Sequence, residues 1–211
     1  MELNDAITTA AACRYFSTEP IPDEVLLRCL DAARFAPQGG NRQPVRFLVV
    51  KDEAARAALG KLYLTRWREF SGIGSGTDRN QLPKIALDGD HMARTFGQAP
   101  VIVVVCVRFA DLAITDLGLD RPSVVGGASV YPAVQNFLLS CRDAGLGATL
   151  TTLLCQDEPA VRGLLAIPDE HLTACHIPVG YRATPYPKSL KRRPLSESVS
   201  LDSFNRPFPG A

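Results

Sequence analysis

Apolar positions along this chain alternate between the spacing of a helix face and unbroken β-branched runs. Leu3, Ile7, Ala10 and Ala11 predict a short helix from Leu3 to about Ala12, which the chain leaves through Arg14-Tyr15-Phe16. Pro20-Ile21-Pro22-Asp23 opens a second helix, with Val25, Leu26, Cys29, Leu30 and Ala33 on one face up to Pro37. Val45 to Val50 is rich in strand formers and ends at Lys51-Asp52, ahead of a helix from Glu53 to about Phe70. The run Pro100 to Val107 is apolar throughout, as a strand covered on both faces requires, and so belongs at the centre of a sheet. Gly126-Gly127-Ala128-Ser129 leads into a helix through Tyr131, Val134, Phe137, Leu138 and Cys141 that stops at Gly145. Thr149 to Leu154 reads as a short strand or an extended loop. A helix from about Glu158 to Leu165 and a strand from His171 to Tyr181 complete the pattern.

Two stretches lack either period. Ser71 to Asp90 carries Gly72, Gly74, Gly76, Pro83 and Gly89 among polar residues and reads as a mobile loop or lid, within a region of about 63–96. The tail from Arg182 holds Pro185, Pro187, Pro194, Pro207 and Pro209, which predicts extended chain that wraps another surface. Few long strands interspersed with helices give an α+β or α/β sandwich, without internal repeats.

A length of 211 residues suits one domain, or one protomer whose core is completed in an oligomer. The 23 Lys and Arg residues against 22 Asp and Glu leave a net charge of +1, which argues against nucleic acid as a partner. The first residues lack a basic segment followed by an apolar one, and no run approaches the roughly 20 apolar residues of a membrane span, so a soluble, cytoplasmic protein is expected. The six cysteines sit mostly inside apolar runs without a Cys-x-x-Cys pair and read as buried thiols.

Candidate chemistry concentrates in Ala36-Pro37-Gln38-Gly39-Gly40-Asn41-Arg42-Gln43-Pro44. Pro37 stops the preceding helix, the glycines free the backbone to turn N–H groups outward, and Asn41 and Gln43 add amides. Other motifs fail. Gly72-Ile73-Gly74-Ser75-Gly76-Thr77 has Thr77 in its sixth position and no strand before it, so it is not a dinucleotide fingerprint. Gly127-Ala128-Ser129-Val130-Tyr131 lacks the second glycine of a nucleophile elbow. Arg14 and the basic cluster Lys188 to Arg193 are solvated charge or partners for an anion.

Taken in order, Arg14-Tyr15-Phe16, Pro20-Ile21-Pro22, Ala32 to Pro44, Tyr131 to Leu139, Gly145-Leu146-Gly147-Ala148-Thr149-Leu150-Thr151-Thr152, Ile167-Pro168, Ile177 to Tyr181 and Arg192-Arg193-Pro194-Leu195 resemble the nitroreductase-like family of FMN-dependent oxidoreductases over nearly the whole chain. The resemblance implies a single domain over 1–211, built as a three-layer α+β sandwich with a small mixed sheet flanked by helices. It further implies an intertwined homodimer whose tail, about 182–211, packs on the partner subunit. It implies FMN in clefts between subunits, NAD(P)H as electron donor, and a nitroaromatic, quinone or activated alkene as oxidant in a ping-pong reaction. No side chain is then needed as general acid or base, since the flavin N5 carries the chemistry.

Matched residue by residue, the resemblance assigns FMN contacts to Arg14, Gln38, Gly39, Asn41 and Gln43, to Thr151 and Thr152 near N5, and to Arg192 and Arg193 at the phosphate. Tyr63, Trp67 and Phe70 are the expected aromatic wall for substrate, or else core packing on a helix. Two departures stand out. Ala10-Ala11-Ala12 occupies the place of an Arg-Arg-Ser-like run, and Val45 that of a tryptophan. The alternatives are a flavin-dependent dehydrogenase or dehalogenase of a biosynthetic pathway and a flavin-binding protein without turnover.

Overall fold

The computed structural model describes residues 1–211. Helix α1 (Leu3–Thr9) is followed by extended chain, and α2 (Asp23–Ala33) begins behind Pro22, whose ring presets the backbone for a helix start. Strand β1 (Val45–Val50) leads to α3 (Glu53–Ser71), which starts where the Asp52 side chain accepts the Ala55 N–H at 2.8 Å. It ends on Gly72 at φ +69°, a left-handed position that glycine takes without strain. Helix α4 (Lys84–Thr95), β2 (Val101–Arg108), α5 (Tyr131–Asp143), β3 (Leu146–Ala148), α6 (Glu158–Leu165) and β4 (His171–Tyr181) follow.

The strands form one sheet in the order β1-β2-β4-β3, and every pair is antiparallel. The α+β class stands, but the sheet is not mixed as expected. Two helices rather than one separate β1 from β2, so the chain re-enters the sheet at the end it left, with Val50 opposite Ile102. Strand β2 is central and buried from Val101 to Val107. Its odd-numbered valines pack with Leu26 and Cys29 of α2 and Phe137 and Cys141 of α5. Ile102, Val104 and Cys106 face Leu59 and Tyr63 of α3, Met92 of α4 and Val161 of α6. The result is three layers, with the sheet between two helical faces.

Part of the stretch read as a loop is helix α4. Met92, Ala93 and Phe96 turn to the core, and Gly89 sits inside the helix because the Trp67 ring needs its space: a Cβ there would lie 2.4 Å from Trp67 Cη2. The preceding segment is tied down through Asp90, whose carboxylate takes both Arg79 and Arg94.

Beyond α1 the chain crosses β3. The Cys13 N–H donates to Ala148 O at 3.0 Å and the Thr149 hydroxyl donates to Cys13 O. Gly147 permits this crossing, since a Cβ there would fall 2.6 Å from Cys13 Sγ and 2.7 Å from Arg182 Cγ. The tail contacts α1 through Leu190 N–H to Thr8 O at 2.8 Å. Farther on it is exposed, with Phe204 at 95%. No helix is long and apolar enough to cross a membrane.

Candidate functional site

The Gly145-Leu146-Gly147 turn aims the threonine segment. Gly145 at φ +77° ends α5, and β3 then runs along the edge of the sheet. Beyond β3, Thr149 and Thr151 turn their N–H groups to β4, donating to Pro178 O at 3.3 Å and His176 O at 3.0 Å. Alternation along an edge points the Thr152 N–H the other way, and it has no acceptor in the chain. Thr152 is exposed, whereas Thr151 is buried and its Oγ1 lies 3.1 Å from the Tyr63 hydroxyl.

Arg14 belongs to the same neighbourhood. The crossing at Gly147 carries it beside this edge and it forms no ion pair; burial pushes the Tyr63 phenol pKa up, with the Thr151 hydrogen bond and then the Arg14 charge opposing. Burial likewise pushes the Cys13 thiol up, with Arg182 and Arg14 opposing. Behind the segment, His176 is 0% exposed, neither ring nitrogen has a partner, and burial lowers its pKa to about 4.

The bend lies elsewhere in the chain. It feeds β1, so the strand order places it at the opposite edge from Thr151 and Thr152. Gly39 donates its N–H to Ser129 Oγ at 3.0 Å, and a Cβ there would press on the Ala113 Cβ at 3.0 Å. Of the two glycines only Gly40 is left-handed, at φ +60°, and Asn41 and Gln43 join it at φ +52°. Three left-handed residues within four are a local strain of a kind that collects at functional sites. Asn41 and Gln43 are exposed, while Gln38 Oε1 is buried without a hydrogen-bond partner.

The remaining expected residues divide. Tyr63 is 2% exposed and stacks on Phe96 at 4.1 Å and 5°, whereas Phe70 is 71% exposed and tilted against Trp67 at 6.2 Å. These three do not form one continuous surface. Arg192 donates only to Lys191 O, at 2.8 Å, and Arg193 stands 3.8 Å from Glu197 on the exposed tail. Sequence reasoning did not single out Ser129 as the bend's anchor, nor Arg142, Arg182 and Tyr186, which gather beside Ala10-Ala11-Ala12. A signal for Arg142 existed: it is a cation in the last turn of α5, a position that also suits the helix dipole and so draws no attention.

A model of the nitroreductase family matches residues 7–181, and the chain belongs to that family. It is 26% identical over 198 residues to iodotyrosine deiodinase 1 of Rattus norvegicus, covering 93% of this chain and 68% of that protein. A putative NADH dehydrogenase/NAD(P)H nitroreductase of Archaeoglobus fulgidus is 28% identical over 181 residues, 83% of this chain and 82% of the other. The solved structure of oxidized iodotyrosine deiodinase bound to FMN and 3-iodo-L-tyrosine matches with a TM-score of 0.72 at 26% identity, over 95% of this chain and 100% of that one.

The unpartnered polar groups, donors and one acceptor, suit a flavin mononucleotide. An outward N–H on a strand edge, a buried amide oxygen without a partner in the strained bend and unpaired guanidinium groups are what a ring with polar edges and a phosphate arm would engage.

Proposed function

We propose that this chain is an FMN-dependent NAD(P)H oxidoreductase that reduces a nitroaromatic, quinone or activated alkene. The observation that carries this reading is the free Thr152 N–H on the sheet edge, with unpaired Arg14 beside the segment that presents it. Taking a hydride from NAD(P)H and handing electrons to an oxidant is the chemistry FMN supplies when bound.

The protein's part is position and charge. The Thr152 N–H holds the polar edge of the ring, Arg14 adds a fixed positive charge, and Tyr63 locks Thr151 so that the segment keeps its outward face. No side chain is assigned as general acid or base.

In this reading a second copy completes the site. Gln38, Gly39, Asn41 and Gln43 sit at the sheet edge opposite Thr151 and Thr152, so the partner's bend is the one that closes the cleft. Leu27 and Phe35 at α2, with Phe204 and Phe208 on the tail, offer exposed apolar surface for that contact, and Arg192 and Arg193 ride on the same tail. Trp67 and Phe70, next to the 72–83 loop, are the proposed substrate contacts, with Tyr63 behind them.

Reductive dehalogenation is a second reading, favoured by the likeness to iodotyrosine deiodinase over 93% of the chain. Anaerobic reduction of the FMN-loaded protein with NADH and NADPH, followed by nitroaromatic, quinone and halophenol oxidants in turn, separates the two by which oxidant restores the flavin's colour.

A further inference from the structure

Two guanidinium groups, of Arg142 and Arg182, meet at the Tyr186 ring beside Ala10-Ala11-Ala12, and neither is paired with a carboxylate. Arg142 reaches in from the last turn of α5 and donates its Nε–H to Thr9 Oγ1 at 2.9 Å, leaving its terminal N–H groups without an acceptor. Arg182 donates only to neutral oxygens, of Thr184, Pro185 and Ala11. Arg142 and Arg182 both lie against the Tyr186 ring, at 3.8 Å and 4.8 Å from its centre, and the Tyr186 hydroxyl is buried without a partner.

An aromatic face offsets part of the cost of holding two like charges together, and an anion would offset more. Next to them opens a cavity of about 210 Å³, lined by Ala10, Ala11, Ala12, Arg142, Thr149 and Tyr186 together with leucine side chains. It falls below the roughly 300–1,000 Å³ of sites that enclose a whole drug-sized ligand. One charged end group suits it better. Thr149 on its wall leads along the edge to Thr152 within about 10 Å of extended chain.

We infer that Arg142, held by Thr9 and Tyr186, is the cation that receives the phosphate of the cofactor, in place of the arginines that Ala10-Ala11-Ala12 lacks. This rests on the proposed FMN reading. The alanines leave the space, α5 supplies the charge, and the Tyr186 ring holds the guanidinium at the cavity wall.

The test compares FMN with riboflavin, which lacks the phosphate, by quenching of flavin fluorescence on the full chain. Arg142→Ala is expected to weaken FMN binding roughly ten- to a hundredfold, as the loss of one or two charge-assisted hydrogen bonds. Riboflavin binding is expected to stay within about threefold of the parent, because it makes no such bond. Adding Ala11→Arg to Arg142→Ala should recover most of the FMN affinity by putting a cation on the opposite wall. Equal weakening of both flavins would assign Arg142 a structural role through Thr9 and overturn the inference. Undiminished FMN binding by Arg142→Ala would overturn it as well. A parent protein that takes up neither flavin would overturn the FMN reading together with it, whereas in a parent that binds FMN the outcome bears on Arg142 alone.

Discussion

The Tyr63 hydroxyl lies 3.1 Å from Thr151 Oγ1, linking α3 to the edge segment whose next N–H faces outward. Both groups are buried, so either one left alone forfeits a hydrogen bond in the interior. Tyr63→Phe and Thr151→Val are each expected to cost about 1–2 kcal/mol in denaturant unfolding. The double variant should cost less than their sum, because no orphan remains. Strict additivity would show that the pair does not interact.

Gly147 is where the segment through Cys13 crosses β3 with no room for a methyl group. Gly147→Ala is expected to destabilise the fold by about 1–3 kcal/mol, since Cys13 and the Arg182 stem must both move. Because Arg14 follows the same crossing, FMN affinity should fall in parallel. A variant with the parent's melting temperature would contradict the close packing.

His176 stays neutral in the fold, with a pKa of about 4 against an ordinary value near 6.5. Between those values the unfolded chain takes up a proton that the folded chain refuses, so stability falls as the pH drops from about 6.5 towards 4. The group's share of that loss is about 3 kcal/mol. His176→Leu should flatten the stability profile in this window, and an unchanged acid limb would refute the assignment.

Asn41 carries the exposed amide of the bend at φ +52°. Asn41→Gly keeps the left-handed backbone and removes only the amide, which isolates the side chain. It is expected to weaken FMN binding about two- to tenfold, and flavin content equal to the parent's would count against Asn41 as a contact.

Much of the fold was legible because burial on both faces leaves no alternative. The apolar run that became β2 reads as a central strand, and His171 to Tyr181 spans β4 as expected. Helix α4 was hidden because Gly89 and the polar residues around it suit a loop by composition, and only the Trp67 ring explains the glycine. Of the candidate site, the left-handed bend and the extended threonine segment were legible because backbone chemistry there is local. For Tyr63 a surface wall and core packing both stayed open, because spacing along a helix does not say which turn the sheet covers. The arginine and tyrosine cluster was out of reach for a related reason. Arg142 and Tyr186 lie in different elements and meet only because the N-terminal segment and the tail converge on β3.

The most direct test of the oxidoreductase reading is anaerobic. The purified full chain is loaded with FMN, freed of excess cofactor and mixed with NADH or NADPH while the flavin's visible absorbance is followed. The expected result is stoichiometric binding and rapid bleaching by at least one nicotinamide, reversed when an oxidant is added. A chain that retains no FMN, or one whose bound flavin neither nicotinamide bleaches, would contradict it.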